Sequence, residues 1–288
     1  MISAKPNGTT LADALRLLRV AKQYTISIGG LPNFYCVQSH GRLGPLGFHV
    51  IGVPKLVREL LFEGSGLCDF DLVSCFPSIF ASLGRAYGFP TEMVERYISD
   101  KQRYHEYWTF TTKTFSADVF KPLVASFFTG GKLSPSPKTA GARALGHDAM
   151  ELLRTNEAAC RLYDEIRSGM KRIIQESTKE RDGRDMVFLN AVGARLQVSR
   201  ERSDFGKICA HLLTGYEQFA IRTVSRHVEG LRGIIYDGFV ALPQRTCGLE
   251  AHIQAASVKV LGLKLDLRLK QQDLSEPVPD VEPDGYGW

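Results

Sequence analysis

No run of eighteen apolar residues occurs anywhere in this 288-residue chain, so a membrane-spanning helix is excluded and no membrane partner is expected. The opening Met-Ile-Ser-Ala-Lys-Pro-Asn-Gly lacks the apolar centre of a signal peptide, and a cytoplasmic protein is expected. Six cysteines are scattered along the chain without one Cys-x-x-Cys pair. That argues against a zinc cluster or a disulfide frame and for reduced, mostly buried thiols. There is no internal repeat and no clear linker. The length suits one large domain or two ordinary ones.

The last sixteen residues contain no Lys or Arg but hold five acids. Setting them aside leaves 36 basic against 26 acidic residues, a charge of +10 over residues 1–272. A basic body with an acidic tail suits a polyanion such as nucleic acid, although solubility alone also favours charge. The tail, residues 273–288 with Pro277, Pro279 and Pro283 among its acids, is expected to be disordered and to offer a surface for a protein partner.

Two carboxylates stand beside apolar runs. Asp71 opens Asp-Leu-Val-Ser-Cys-Phe-Pro-Ser-Ile, and Asp237 lies within Gly-Ile-Ile-Tyr-Asp-Gly-Phe-Val-Ala-Leu. A lone charge is costly to bury, so acids placed this way are usually employed together. Their commonest shared task is to hold divalent ions with hard oxygen ligands, a Mg²⁺ pair (Mn²⁺ as the alternative) that clamps the oxygens of a phosphoryl transfer. Each acid has a plain structural reading as well. Asp71 can end a strand or cap a helix, with Asp69 on the same strand face, and Asp-Gly is what a tight hairpin turn prefers.

Between the acids, residues 91–128 read as helical, with aromatics and bases interleaved: Arg96, Tyr97, Lys101, Arg103, Tyr104, His105, Tyr107, Trp108, Lys113 and Lys121. Such a run suits stacking on bases and pairing with phosphates, or a plain core with a solvated rim. Further helices are expected at 10–23, 54–62, 145–178 and 205–228, and a loop at 130–144. A charged turn at 179–184, a strand pair near 186–199, a hairpin turning at Asp237-Gly238 and an alternating half-exposed strand at 263–270 complete the reading.

These residues carry a resemblance to template-dependent DNA polymerases. The 71–79 string resembles the family B form of motif A, Asp-x-x-Ser-Leu-Tyr-Pro-Ser-Ile. Over about 65–270 the chain is more similar to family A, the bacterial DNA polymerase I type. Lys121 with Gly130 nine residues on resembles the Lys-x8-Gly of the fingers helix. Asn190-Ala-Val-Gly193-Ala-Arg195 resembles the turn after the fingers, and His211-Leu-Leu-Thr-Gly215-Tyr-Glu217 echoes the helix before motif C. Ile235-Tyr-Asp237-Gly-Phe-Val resembles motif C itself. The departures are Ala117 in place of Arg, Thr129 in place of Tyr, and Tyr-Asp-Gly in place of His-Asp-Glu.

The resemblance implies an α+β fold, a polymerase palm (antiparallel sheet) with an inserted helical fingers subdomain. Its parts would be an accessory segment at 1–64, palm at 65–90, fingers at 91–185, palm at 186–272 and the tail. It implies two Mg²⁺ held by Asp71, Asp237 and the backbone carbonyl of Leu72. The same likeness assigns dNTP contacts to Phe76, Lys113, Lys121 and Gly130, with Lys121 also able to hand a proton to pyrophosphate. It assigns nucleic-acid contacts to Arg103, Arg195 and Tyr236. A ring at Phe76 would collide with a 2′-hydroxyl, so dNTPs are expected over rNTPs. The expected partners are dNTPs and a DNA primer-template, with RNA as the other template. The small size fits a phage or mobile element. Two rivals stay open: a reverse transcriptase or RNA polymerase, which would normally show paired Asp at motif C, and a palm without catalysis that only binds nucleic acid.

Overall fold

The computed structural model describes residues 34–37, 43–46, 65–114, 116–182, 185–199, 204–229, 231–235 and 237–273. The helices expected at 10–23 and 54–62, Tyr236 and the tail beyond 273 lie outside these residues. In the N-terminal segment, β1 (Phe34–Val37) and β2 (Leu43–Leu46) pair antiparallel.

From there the chain alternates sheet and helix. Strand β3 (Cys68–Leu72) runs into α1 (Cys75–Tyr87). A helical insertion follows, with α2 (Glu92–Ser99), α3 (Lys101–Thr112), α4 (Phe120–Phe128), α5 (Ala140–Leu145), α6 (His147–Thr155) and α7 (Glu157–Glu176). Strands β4 (Lys179–Asp182), β5 (Asp185–Leu189) and β6 (Arg195–Ser199) form a second antiparallel sheet. Helix α8 (Phe205–His227) leads to the hairpin β7 (Gly233–Ile235) and β8 (Gly238–Ala241). Helix α9 (Leu249–Leu261) and β9 (Leu269–Asp273) close the described chain.

The four-stranded sheet has the order β7-β8-β3-β9, antiparallel throughout, so strands far apart in sequence are neighbours in space. On β3 the period of two sends Cys68, Phe70 and Leu72 to one buried face. Phe70 stacks on Phe239 of β8 with ring centroids 5.1 Å apart. One apolar core joins these side chains to Ile79 and Phe80 of α1, Met170 of α7 and Leu213 of α8. Helix α7, about 30 Å long at 1.5 Å per residue, touches α1, α2, α4, α6 and α8. Its Gly169 sits where a Cβ would meet the Phe80 ring at 2.3 Å, so only glycine permits the α7–α1 approach. Its Glu165 carboxylate accepts the amides of Met93 and Val94 at 3.1 and 2.9 Å, capping the otherwise unpaired N-terminus of α2.

Several elements differ from the sequence expectation for identifiable reasons. The loop expected at 130–144 ends in helix α5, because the Thr139 hydroxyl accepts the Ala142 amide and starts it. The charged stretch 179–182 is an edge strand with every side chain exposed, and charges on an edge discourage further pairing. In 263–270 the leucines at 263, 265 and 267 are buried as the alternation requires, but the ladder begins only at Leu269. The amides of Leu265 and Asp266 instead donate to the hydroxyls of Ser257 and Ser82, each at 3.0 Å. The hairpin closes on the pair Ile235 and Gly238, so Gly238 already belongs to β8 and is not a turn residue. The sequence reading had assigned no element to 249–261, which forms α9.

Candidate active site

Asp71 is the penultimate residue of β3, and the 71–79 string is a strand–turn–helix unit. Ser74 takes the left-handed conformation (φ 46°) that turns the chain out of the sheet. The Ser78 amide donates to the Ser74 carbonyl at 2.9 Å, and the Ser78 hydroxyl donates to the Val73 carbonyl at 3.0 Å. Pro77 falls in the first helical turn, where a missing N–H costs nothing. Ile79 is fully buried and anchors the helix. Ser74, Pro77, Ser78 and Ile79 therefore each have a local duty, and Asp71 is left exposed at the end of the strand.

Across the ladder Asp71 pairs with Gly238 on one side and Lys270 on the other. Directly opposed residues of an antiparallel pair share a face, so Asp71, Gly238 and Lys270 form one row. The Leu72 amide donates to the Asp237 carbonyl at 3.0 Å, which fixes the second acid in the turn that immediately precedes Gly238 of the neighbouring strand. Gly238 puts no side chain in the space beside Asp71. Its place in the sheet also removes the turn-preference account of Asp-Gly, because Gly238 is a strand residue.

Both acids line one cleft of about 810 Å³. Phe76 of α1, half-buried, forms part of its wall, as does Leu72. Lys101 reaches it from the start of α3, Lys121 from α4 and Lys270 from β9. On α4 the lining residues Lys121, Val124 and Ala125 share one helix face by their spacing. Glu217 of α8, buried, closes another side, and its carboxylate accepts from the Gln218 amide at 3.1 Å.

The cations repel one another. Burial, with Lys121 and Lys270 nearby, lowers the Lys101 pKa below the usual lysine range. His105, one turn along α3, is pushed down to about 4 by burial and by Lys101 and Lys121, against an opposing pull from Asp118. Its Nε2 is 3.0 Å from the hydroxyl of Tyr97, another cleft residue, whose own ionisation burial pushes up. Lys101, Lys121 and Lys270 share the cleft with three carboxylates, those of Asp71, Asp237 and the buried Glu217, and the clustered ammonium groups are where an incoming anion would be drawn.

Of the residues singled out in the sequence, the structure brings Asp71, Leu72, Phe76, Lys121 and Asp237 to this cleft. Four others do not line it. Gly130 (φ 82°) ends α4, where a Cβ would meet Gly206 Cα at 2.6 Å, so it serves the α4–α8 approach. Lys113 caps the far end of α3 with φ 54°. Arg103 lies exposed on α3, 3.6 Å from Asp100, and Arg195 on β6 faces Glu180 at 3.3 Å. Tyr236 is outside the described residues. Lys270 has no recognisable role in the sequence alone, because only the β3–β9 register sets it beside Asp71. Lys101 and Tyr97 had appeared only as members of the basic, aromatic run.

Of the other motif echoes, Glu217 lines the cleft, and the remaining residues meet each other. Asn190 Oδ1 accepts the amides of Val192 and Ala194 at 3.2 and 3.0 Å and shapes the β5–β6 turn. His211 Nε2 lies 3.2 and 3.1 Å from the carbonyls of Phe188 and Ala194, so this nitrogen carries the proton and donates. His211 is a satisfied structural histidine.

The fold is α+β, an antiparallel sheet with a helical insertion between the segments that carry Asp71 and Asp237, and it is similar to that of a DNA polymerase domain. Among solved structures, the chain is similar to the POL domain of Pol1 from M. smegmatis, in complex with DNA primer-template and dNTP. The TM-score is 0.55 at 13% identity, over 92% of this chain and 52% of that one. This chain thus spans about half the length of that neighbour, and the likeness is one of fold. The neighbour is a family A enzyme, so the family B character of residues 71–79 remains a sequence resemblance. No protein-family model matches the sequence, and no curated protein matches it.

Proposed function

We propose that this chain is a template-dependent nucleotidyltransferase that extends a primer with dNTPs, its template DNA or RNA. The observation that carries the reading is the pairing of β3, which carries Asp71, with β8, which Asp237 immediately precedes, so that both acids line one cleft with three lysines. The neighbour's bound primer-template and dNTP support it from the side of fold.

The donor set fits Mg²⁺ or Mn²⁺. Asp71, Asp237 and the Leu72 carbonyl would offer hard oxygens, and among the described residues no group of three His, Cys, Asp or Glu side chains converges as a self-contained site. Mg²⁺ binds in this way, taking few protein ligands and completing its shell with water and phosphate oxygens. When bound there, two such ions would supply activation of the primer 3′-hydroxyl and charge neutralisation on the leaving pyrophosphate. The protein's own share is positioning and charge. Lys101, Lys121 and Lys270 hold the triphosphate oxygens, and Lys121, exposed on α4, is placed to give a proton to pyrophosphate as the Pα–O bond breaks. Phe76 walls the cleft beside Asp71 and favours a deoxyribose over a ribose.

Primer extension by the purified chain tests this, with Mg²⁺ or Mn²⁺, DNA or RNA templates, and dNTPs or rNTPs. Wild type is expected to add dNTPs, and Asp71→Asn and Asp237→Asn to lose more than about 10²-fold in rate each. Extension unchanged in both variants places the activity elsewhere. A wild type that binds primer-template and extends nothing with either ion leaves a palm that only binds nucleic acid, and the enzymatic reading falls.

A further inference from the structure

Two histidines outside the cleft are held in the same way. His227 is the last residue of α8, and His252 lies in the first turn of α9, a helix that packs against α8. The Nδ1 of His227 is 2.8 Å from the Thr223 carbonyl, and that of His252 is 2.9 Å from the Gly248 carbonyl. A carbonyl only accepts, so both Nδ1 atoms carry the proton and donate. In each neutral ring the lone pair is then on Nε2. Among the described residues neither Nε2 has a hydrogen-bond partner. Both side chains are exposed, and their ring centroids are 5.1 Å apart.

We propose that His227 and His252 hold one Zn²⁺ between the ends of α8 and α9. Two imidazoles on one tetrahedral ion, with Zn–N bonds of about 2.0–2.1 Å, have ring centroids roughly 5 Å apart. These rings already have that spacing. A histidine that binds metal through one nitrogen donates the other N–H to a carbonyl or carboxylate, which sets the tautomer and aims the ring. Both rings are set by carbonyls of their own helices or caps. Among the described residues no third His, Cys, Asp or Glu side chain completes the group, so water fills the remaining positions and the ion can exchange.

The nearby charges come close to cancelling and do not select the occupant. Arg245 pairs with Glu229 at 3.1 Å, and Arg226 beside His227 is offset by Glu250, whose carboxylate accepts the Leu269 amide at 2.6 Å. The attraction is coordination by neutral nitrogen, which suits Zn²⁺ and not Mg²⁺, an ion that keeps to oxygen ligands. The site is therefore chemically separate from the acids of the cleft. An ion there joins the two ends of residues 228–248, the segment that contains the β7–β8 hairpin.

Calorimetric titration of the full chain with Zn²⁺ tests this, in excess Mg²⁺ so that the cleft is offered the harder ion. Wild type should bind one Zn²⁺, and His227→Gln and His252→Gln should each weaken it by at least about tenfold. Ligands of one ion are coupled, so the double variant should lose little more than either single one, whereas two independent sites would add. Cys247, the exposed thiol just before Gly248, is the rival ligand, and Cys247→Ser should bind as wild type does. Asp71→Asn should do the same. Imidazole nitrogen NMR gives a second readout, in which Zn²⁺ should shift Nε2 of these two histidines alone. Both side chains are exposed, so the metal-free variants should melt at the wild-type temperature. Zinc affinity that survives both histidine substitutions, or that is lost with Cys247 or Asp71, overturns the proposal. So does a wild type without saturable binding, which would leave two rings that merely pack together. The readout is binding rather than extension, so it stands apart from the polymerase reading.

Discussion

Burial holds the His105 imidazole neutral, and that has a cost as the solution is acidified. Its pKa is pushed down to about 4, whereas an unfolded histidine titrates near 6.5. Between those values the unfolded chain binds the extra proton, so stability is complete above about pH 6.5 and is lost as pH falls towards 4. The share owed to His105 is on the order of 1–3 kcal/mol. Urea unfolding at pH 7 and pH 4.5 should show a smaller loss in His105→Gln than in wild type, because glutamine occupies the site without a proton to gain. Equal losses would show that other groups control the acid limb. The sequence could name His105 as part of an aromatic run, but its neutrality comes from Trp108, Phe120 and Lys121 folding around it, and no spacing encodes that. Asp71 is the contrary case: Ser74, Pro77, Ser78 and Ile79 each serve the turn that ends at it, so the string could be read directly.

At the scale of elements, local units were legible and their docking was not. The strand–turn–helix at 68–87, the hairpin at 233–241 and helix α8 follow from period, turn residues and caps. Strand β9 was harder, because Ser257 and Ser82 capture the amides that would otherwise have extended it. The turn at 190–195 and the helix carrying Gly215 were read as two separate motif echoes. They are one joint, since a Cβ on Gly215 would meet Asn190 Cβ at 2.6 Å and the Ala191 amide at 2.8 Å. The neighbour there is a side-chain base and a backbone nitrogen, and Asn190 is held by its bonds to Val192 and Ala194, so neither yields easily. Gly215→Ala is expected to cost about 1–3 kcal/mol through overpacking, despite the usual helix preference for alanine. A thermal melt that rises or stays unchanged would mean that α8 and the β5–β6 turn separate at no cost.

For the molecule as a whole, the cleft is a meeting of distant segments. Lys101, Lys121 and Lys270 come from α3, α4 and β9, and only the antiparallel register of β3 with β9 brings the last of them to Asp71. Three cations gathered in this way are held against their mutual repulsion, and Lys101 bears the most of it, by burial and by its two neighbours. Its pKa lies below that of an unfolded lysine, so near neutral pH the folded state is the one that disfavours the charge. Lys101→Met keeps the stem's apolar packing and removes the charge. The free variant should therefore melt about 1–3 °C above wild type. Binding should move the other way. Inorganic pyrophosphate, a polyanion of the size the lysines face, should raise the wild-type melting temperature and bind the variant about tenfold more weakly. A cleft built for an anion stores instability that the anion relieves, so the two shifts must have opposite signs. Loss of both stability and pyrophosphate binding would instead make Lys101 a packing residue whose charge has no partner to await.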